Sequence, residues 1–205
     1  MEADSLADKL TFVMVGRSGC GKGTQARFLL ERLRTHGVYH METGRFLRAL
    51  LEHDNPTVAI ARRIMTHGQL FPEWFAVFTW LRELIESGHG GEHLVFDGAP
   101  RRLTEAKLLD EVLRWHGRPL PVCIYVVVSA KEATRRLLAR GRGDDQTEAI
   151  KNRMRYFPRH VIPVIKYYRR HGRLVMVNGE QYPAAVTAEM NAALVDRFGA
   201  TWPEK

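Results

Sequence analysis

Four short apolar runs alternate with longer amphipathic stretches along the chain. The runs occupy residues 12–15, 94–96, 122–128 and 174–177. Most of them are continuously apolar, which is typical of strands that are covered on both faces. Between the runs, apolar residues recur at helical spacing in 24–33, 103–113 and 133–138. Strands that alternate with helices predict an α/β fold with a parallel sheet and right-handed crossover connections.

The alternation is broken between residues 43 and 87. Two or three helical segments follow one another there without an obvious strand, and Pro56 and Pro72 interrupt them. This stretch is long for one crossover connection, so we predict that residues 43–87 form an inserted helical subdomain. A second irregular spot, the loop 141–145, is short and rich in Gly and Asp. Residues 1–205 contain no internal repeat or low-complexity linker, so we predict a single domain.

Composition and charge narrow the classes of protein without choosing one. Hydrophobic residues make up 45% of the 205 residues, which is enough for a conventional core. The formal charge of +8 favours an anionic partner such as a nucleotide, a nucleic acid or an acidic membrane. The longest apolar run, 122–128, is too short to span a bilayer. The polar N-terminus is unlike a secretory signal, and two cysteines do not make a disulfide framework, so we expect a cytoplasmic protein.

The strongest motif is a glycine-rich loop between the first predicted strand and the first predicted helix. Residues 16–24 read Gly-Arg-Ser-Gly-Cys-Gly-Lys-Gly-Thr. Glycines let successive backbone N–H groups point at a phosphate, the helix N-terminus adds partial positive charge, and Lys22 can reach the β- and γ-phosphates. We therefore predict that ATP phosphates are bound by Gly16, Ser18, Gly19, Cys20, Gly21, Lys22, Gly23 and Thr24. The hydroxyl lies one place later than the general pattern expects, so Thr24 is a provisional neighbour of Mg²⁺.

A second group of polar residues follows another predicted strand. Asp97 and Arg101 come directly after the run 94–96, at the sheet edge where ligands bind in open α/β folds. Asp97 can hold Mg²⁺ or its water shell. Thr43 starts the inserted region and is equally plausible as a helix N-cap. Arg48 and Arg101 together offer two guanidiniums for a second phosphate.

Taken in order, these motifs resemble those of the adenylate kinase family of nucleoside monophosphate (NMP) kinases. The resemblance extends from residue 12 to about residue 177 and includes Gly-Lys-Gly-Thr-Gln at 21–25, Thr-Gly at 43–44 and Asp-Gly-Ala-Pro-Arg at 97–101. It implies a P-loop NTPase fold with a parallel five-stranded sheet flanked by helices, an NMP-binding insert at 43–87 and a lid. The lid loop 141–145 resembles the short form of the family and is trimmed further. It carries no cysteine cluster for zinc.

The resemblance also implies a reaction and a role for each matching residue. The reaction is transfer of the γ-phosphoryl group of ATP to AMP, giving two ADP, with Mg²⁺ required and the protein acting as a monomer. The implied catalytic residues are Lys22, Arg101, Arg140, Arg142 and Arg153. The implied ATP-binding residues are those of the glycine-rich loop together with Arg136 and Arg140. The implied Mg²⁺ neighbours are Asp97 and Thr24, which act largely through water and phosphates. NMP binding falls to Thr43, Gly44, Arg48, Met65, Gln69, Leu70, Phe71, Gly98, Arg101, Glu105, Arg142 and Arg153.

The expected mechanism relies on charge and position. The acceptor oxygen of a nucleoside monophosphate is already anionic, so no general base is needed. Catalysis must come from alignment of the two nucleotides and neutralisation of phosphate charge. Closure has to exclude water, because ATP would otherwise be hydrolysed. We therefore expect the insert 43–87 and the loop 141–145 to move when ligands bind.

Three positions depart from the family pattern. Arg45 stands in place of Asp, Ala99 in place of an aromatic residue, and Glu105 in place of Gln. A Gln side chain can accept a hydrogen bond from adenine N6 and donate one to N1, whereas an ionised Glu can only accept. Guanine, which offers two donors on one edge, would suit ionised Glu105 better. Thr43 matches adenylate kinases, in contrast to pyrimidine-specific relatives, which tend to have Ala there.

Other functions remain open at this point. Another NMP (GMP, CMP or UMP) is an alternative acceptor, and a catalytically weak, kinase-like nucleotide-binding protein is an alternative to an active enzyme. A GTPase switch is disfavoured, because there is no Asn-Lys-x-Asp base reader and Asp97 is followed by Gly-Ala-Pro. A nucleic-acid-binding module that uses the +8 charge is a further alternative, although the arginines concentrate around the nucleotide motifs.

Overall fold

Five parallel strands form one sheet at the centre of the molecule. The structure, a computed structural model, describes residues 9–86 and 91–203. The strands are β1 (Thr11–Val15), β2 (Val38–Glu42), β3 (His93–Asp97), β4 (Val122–Val127) and β5 (Leu174–Asn178). Their order across the sheet is β2-β3-β1-β4-β5, and every neighbouring pair is parallel. The predicted α/β fold with a five-stranded parallel sheet is confirmed.

Helices connect the strands and cover both faces of the sheet. In the described residues they are α1 (Lys22–Leu33), α2 (Thr43–Leu50), α3 (Pro56–Thr66), α4 (Glu73–Glu86), α5 (Leu103–Trp115), α6 (Ala130–Arg140), α7 (Thr147–Tyr156), α8 (Ile162–Arg170) and α9 (Pro183–Phe198). A π-helical turn, Phe157–Val161, joins α7 to α8. None of the helices in the described part of the chain is long and apolar enough to cross a membrane.

The strand β2 was missed by the hydrophobic pattern. Its sequence, Val-Tyr-His-Met-Glu, carries two polar residues, and only Met41 among the five is fully buried. The position of β2 at one edge of the sheet explains this composition, because an edge strand does not have to be apolar along its whole length. Its C-terminal residue, Glu42, pairs with Asp97 of β3 and leads directly into α2.

The core lies in two layers, one on each face of the sheet. Side chains alternate between the two faces along a strand, so Phe12 and Met14 of β1 pack against α1 and α9, on Leu29 and Met190. The intervening Val13 joins the opposite layer, which α4, α5 and α8 cover. All of β1 is buried, and the loop that follows it therefore starts from a rigid support.

The region predicted as an insert contains three helices, α2, α3 and α4. Asn55 caps α3, accepting the backbone N–H of Val58 at 3.0 Å, and Pro56 follows at the first helical position. Residues from all three helices form a small apolar cluster of their own, which includes Leu47, Ala61 and Phe75. The second half of α4 instead joins the main core through Trp80 and Leu84. The last residue of the predicted region, Ser87, lies outside the described residues.

Candidate active site

The glycine-rich loop lies between the end of β1 and the start of α1. Gly19 and Gly21 have positive φ angles of +85° and +96°, which glycine adopts at little cost. A Cβ atom at Gly16 would lie 2.6 Å from Cys20 Sγ, and one at Gly19 would lie 2.7 Å from the carbonyl oxygen of Ala133. Close packing therefore requires glycine at Gly16 and Gly19, whereas at Gly21 the backbone conformation alone favours it. The helix starts at Lys22, two residues before the stretch 24–33 in which the sequence shows helical spacing.

The ammonium group of Lys22 lies over this loop. Its Nζ donates to the carbonyl oxygens of Gly16 and Arg17 at 3.0 and 2.9 Å and lies 3.6 Å from Cys20 Sγ. These neutral acceptors hold the charge in place, and a phosphate would be a stronger partner. A Cβ atom at Gly23 would lie 3.4 Å from Asp97 Oδ2. The carboxylate of Asp97 therefore lies next to the N-terminus of α1.

A cleft of about 440 Å³ opens beside the glycine-rich loop. Arg136 lies along it, donating to Cys20 O at 3.5 Å and to Glu132 Oε1 at 2.7 Å. Hydrogen bonds from Arg135 and Arg136 lower the pKa of Glu132 to about 2. Among the predicted residues, the cleft is lined by Gly19, Cys20, Gly21, Thr24 and Arg136.

The opposite wall of this cleft was not predicted. It is formed by the turn after β5 and the start of α9, including Gln181, Tyr182 and Pro183. This turn follows the predicted strand 174–177, and the C-terminal ends of parallel strands meet at the ligand-binding edge of a sheet. That rule was the available signal for these residues.

A second group of predicted residues meets where β2 and β3 end. A Cβ atom at Gly98, whose φ is +98°, would lie 3.4 Å from Arg101 Nη2 and 3.5 Å from Thr43 Cβ. The prediction that Thr43 could be the N-cap of α2 is wrong. Glu42 holds that position, and Thr43 is the first helical residue. The hydroxyl of Thr43 is buried and has no hydrogen-bond partner among the described residues. An unpaired hydroxyl beside Gly98 and Arg101 is a polar group available to a ligand.

The two predicted acceptor arginines differ in how they are held. Arg101 Nε donates to Gly98 O at 2.6 Å, and Nη1 donates to the hydroxyl of Tyr156 at 3.4 Å. Arg48 is exposed and donates to Glu42 Oε1 at 2.9 Å. Its guanidinium folds back over the start of α2, where a Cβ atom at Gly44 would lie 3.2 Å from Nη1. Arg48 therefore borders the Thr-Gly pair at the start of α2, and Arg101 borders the Asp-Gly turn after β3.

Glu105 lies in the first turn of α5 and is 2% exposed. Its Oε2 accepts the backbone N–H of Arg101 at 3.0 Å. Burial raises the pKa of Glu105, although the N–H group and the positive charge of Arg101 act in the opposite direction. Two other departures from the family pattern are simpler. Arg45 is exposed with its guanidinium 5.1 Å from the centre of the Phe46 ring, and Ala99 is buried.

The loop between α6 and α7 is organised around Asp145. This carboxylate accepts two hydrogen bonds of 2.8 Å from Arg140, one of 2.8 Å from Arg153 and one of 3.3 Å from the backbone of Arg142. Arg153 also donates to Asp144 Oδ2 at 2.6 Å. Burial alone would raise the pKa of Asp145, but these bonds outweigh it and lower the pKa. The side chain of Arg142 is exposed. Of the three arginines predicted near this loop, Arg140 and Arg153 therefore bring their guanidiniums to Asp145, and Arg142 does not.

The predicted contacts to the acceptor base lie at the end of α3 and in the connection to α4. Met65 and Phe71 pack on the small apolar cluster of this region, Leu70 is half-buried and Gln69 is exposed. The same connection rests against α7. A Cβ atom at Gly68 would lie 2.4 Å from the carbonyl oxygen of Ala149.

Tyr156 is a residue of the site that the motifs did not reveal. It lines a narrow crevice between the glycine-rich loop and the turn after β3, together with Ser18, Lys22, Gly98 and Arg101. Its spacing from Arg153 could have indicated this position, because residues three apart share one face of a helix.

Comparison with known proteins identifies relatives along most of the chain. A family model described as adenylate kinase matches residues 14–173. An adenylate kinase of Synechococcus sp. (strain RCC307) is 35% identical over 183 residues, which cover 89% of this chain and 97% of that protein. Adenylate kinase 1 of Nostoc sp. (strain PCC 7120) is 32% identical over 182 residues, covering 89% and 97%. An adenylate kinase of Thermus thermophilus is 34% identical over 186 residues, covering 89% and 95%.

Proposed function

The chain belongs to the adenylate kinase family, and on that premise we propose that it transfers the γ-phosphoryl group of ATP to AMP and releases two ADP. The membership makes it a phosphotransferase of the nucleoside monophosphate kinase type. The observation that carries the finer proposal is that two phosphate-binding groups face one crevice, Lys22 from the glycine-rich loop and Arg101 from the turn after β3. Two nucleotides bound at these groups would meet phosphate to phosphate.

The donor side would bind ATP along the 440 Å³ cleft. Backbone N–H groups of the glycine-rich loop and the N-terminus of α1 would hold the phosphates, and Lys22 would exchange its carbonyl acceptors for phosphate oxygens. Arg136 lines the cleft and has its charge partly balanced by Glu132. It is therefore suited to lie along the nucleotide without repelling Lys22.

The acceptor side would bind the monophosphate between α2 and the turn after β3. Arg101 and Arg48 offer planar, forked donors that match phosphate oxygens. The hydroxyl of Thr43 in α2, which has no hydrogen-bond partner in the described part of the chain, lies next to Gly98 of that turn. Because the nucleophile is an anionic phosphate oxygen, these residues need only align it and offset its charge.

The arginines held by Asp145 would complete the charge neutralisation. A guanidinium has five N–H donors, and Arg140 uses two of them on Asp145. Arg153 divides its bonds between Asp144 and Asp145. Donors remain on both arginines for phosphate oxygens, while the carboxylates fix their orientation. Movement of the region 43–87 and the loop 141–145 on ligand binding stays a prediction.

Two oxygen-bearing side chains beside the glycine-rich loop, those of Asp97 and Thr24, suit Mg²⁺. The carboxylate of Asp97 approaches Gly23, and the hydroxyl of Thr24 is the next side chain along α1. In residues 9–86 and 91–203 no three His, Cys, Asp or Glu side chains converge as a metal site. Oxygen ligands in this small number suit an ion that keeps several waters and is bound mainly through nucleotide phosphates. Bound with ATP, Mg²⁺ would offset phosphate charge, and Asp97 would orient its water shell.

The identity of the acceptor base depends on the protonation of Glu105. Ionised, its carboxylate would favour guanine, so GMP is the second candidate acceptor. Burial raises the pKa of Glu105 and thereby favours the protonated form. A protonated carboxyl has both a donor and an acceptor, as the amide of Gln has, and it suits the N1 and N6 edge of adenine. This supports AMP.

The proposal extends to a cytoplasmic enzyme that acts as a monomer. Cys20 and Cys123 are both buried and unpaired, which fits a reducing compartment.

The proposal is tested by incubating the protein with Mg-ATP and each of AMP, GMP, CMP, UMP and dTMP, and quantifying the diphosphates formed. We expect AMP to exceed the other acceptors in kcat/KM by about tenfold or more. A higher kcat/KM for GMP would assign the acceptor site to guanine, and no diphosphate with any acceptor would reject the proposal.

A lysine variant separates catalysis at the site from trace activity of other proteins. Lys22→Met should lower kcat by at least about 100-fold, because it removes a charge that faces the transferred phosphoryl group. Lys166→Met is the matched control, since Lys166 is exposed on α8. Both variants should keep the far-ultraviolet circular dichroism spectrum of the unmodified protein.

A further inference from the structure

Tyr156 connects the two phosphate-binding groups of the crevice. It is the last residue of α7, and its ring lines the crevice between the glycine-rich loop and the turn after β3. Its hydroxyl accepts a hydrogen bond from Arg101 Nη1 at 3.4 Å, and Ser18 and Lys22 of the glycine-rich loop line the same crevice. Tyr156 thus contacts an arginine on the acceptor side and borders the crevice that the glycine-rich loop lines on the donor side.

The neighbouring residues support a fixed position for this ring. Phe157, which follows Tyr156, packs its ring 4.2 Å from the guanidinium carbon of Arg17 in the glycine-rich loop. Arg17 Nε also donates to Val128 O at 3.2 Å. The π-helical turn begins at Phe157, and such turns often occur at functional sites because they redirect side chains within a helix. The turn that directly follows Tyr156 is therefore held against the glycine-rich loop through Phe157.

The electrostatic surroundings of the hydroxyl are positive. Burial acts to raise the pKa of Tyr156, whereas the positive charges of Arg101, Lys22 and Arg153 lower it, and the net direction is down. These charges come from the turn after β3, the glycine-rich loop and α7 itself. A phosphate that entered the crevice would meet the same charges.

We propose that Tyr156 is a positioning residue for phosphoryl transfer, which holds the guanidinium of Arg101 toward the glycine-rich loop through its hydroxyl. The inference rests on the proposed function, because it assigns Arg101 to the acceptor phosphate. A neutral hydroxyl suits this task. A carboxylate in its place would orient Arg101 equally well but would neutralise the charge that the phosphate needs. Arg140, in contrast, is held by the carboxylate of Asp145 rather than by a neutral hydroxyl.

The first test is Tyr156→Phe, which removes the hydroxyl and keeps the ring. We expect kcat with AMP to fall about tenfold, the typical effect of one hydrogen bond to a charged group. The KM for AMP should rise, while the KM for ATP should stay within about twofold, because Arg101 lies on the acceptor side. Tyr167→Phe is the matched control. Tyr167 donates to Asp110 at 2.7 Å, away from the crevice, and its loss should leave kcat and both KM values unchanged.

The second test is a double-mutant cycle with Arg101→Lys. If Tyr156 acts through Arg101, adding Tyr156→Phe to Arg101→Lys should lower kcat/KM by less than about twofold further. A purely structural role would let the two losses multiply, and that result would overturn the inference. Unchanged kcat and KM values in Tyr156→Phe would also overturn it.

Calorimetry of AMP binding makes the test independent of turnover. Affinity for AMP should fall in Tyr156→Phe and remain unchanged in Tyr167→Phe. If the unmodified protein phosphorylated no NMP, the proposed function would fail, and this comparison would still decide the role of Tyr156. Equal AMP affinities in Tyr156→Phe and the unmodified protein would count against it.

Discussion

Glu105 has two functions to reconcile at the scale of a single residue. Its carboxylate accepts the N–H group of Arg101 in the first turn of α5, where negative charge is favourable near a helix N-terminus. Its burial disfavours the same charge and raises its pKa. A raised pKa means that the folded state binds a proton more tightly than the unfolded state. The stabilisation from this proton is present at low pH and is lost as the pH rises through the raised pKa.

Glu105→Gln tests this linkage. Gln can accept the N–H group of Arg101 and cannot ionise, so the variant should gain stability relative to the unmodified protein as the pH rises from about 4 to about 8. The measurement is the melting temperature of both proteins across that range, with Glu111→Gln, an exposed site on the same helix, as the control. A difference in melting temperature that does not change with pH would contradict the account.

Sequence motifs predicted individual residues where the chemistry is local. Lys22 and Arg101 each belong to a short motif from which a role can be predicted, and both residues line one crevice in the structure. The side chain of Thr43 was ambiguous between capping and binding, because both roles need a hydroxyl at the start of a helix. The structure excludes the capping role, because Glu42 is the N-cap and the Thr43 hydroxyl has no hydrogen-bond partner among the described residues, whereas the binding role stays a prediction. The burial of Glu105 was likewise not visible, since burial depends on contacts from distant segments.

The element that joins the parts of the site is α7. Through Arg153 it binds the loop after α6, and through Tyr156 it contacts the glycine-rich loop and the turn after β3. Its N-terminal part meets the connection between α3 and α4, where Asn152 Nδ2 donates to His67 O at 3.0 Å. We therefore expect the packing of α7 on that connection to matter for stability.

Gly68→Ala tests this packing. Gly68 has a φ of +61°, and an added Cβ would lie 2.4 Å from Ala149 O. Gly117 has a φ of +65° with open space around it, so Gly117→Ala isolates the backbone cost. We expect Gly117→Ala to lower the free energy of unfolding by about 1 kcal/mol and Gly68→Ala to lower it by about 2 kcal/mol or more, because overlap with α7 is added. Urea denaturation measures both, and equal losses would show that α7 does not press on this turn.

Elements were predictable where their pattern was strong. Buried strands such as β1 and β4 are continuously apolar and were identified nearly to the residue. The edge strand β2 was missed, because its two polar residues break the apolar run. The role of Tyr156 could not be predicted either. It depends on how the end of α7 is oriented by the π-helical turn, which has no simple sequence signal.

At the scale of the whole molecule, two cationic groups that we propose to bind phosphate, from distant parts of the chain, meet at the C-terminal edge of one sheet. The parallel strand order brings the loop after β1 next to the turn after β3. The positive charge of the chain would favour the proposed substrates, because ATP and AMP together would bring many negative charges into one crevice. The fold was predictable because strand alternation and the ordered motifs agreed, whereas the contacts between α7 and its surroundings required the structure.

The central claim is that the chain binds two nucleotides end to end, and one calorimetric titration tests it most directly. The ligand is a bisubstrate dinucleotide, in which a polyphosphate bridge joins two adenosines. We predict one molecule bound per chain, with an affinity at least about 100-fold higher than that of ATP, because the second half binds at high effective concentration. An affinity equal to that of ATP would contradict the account.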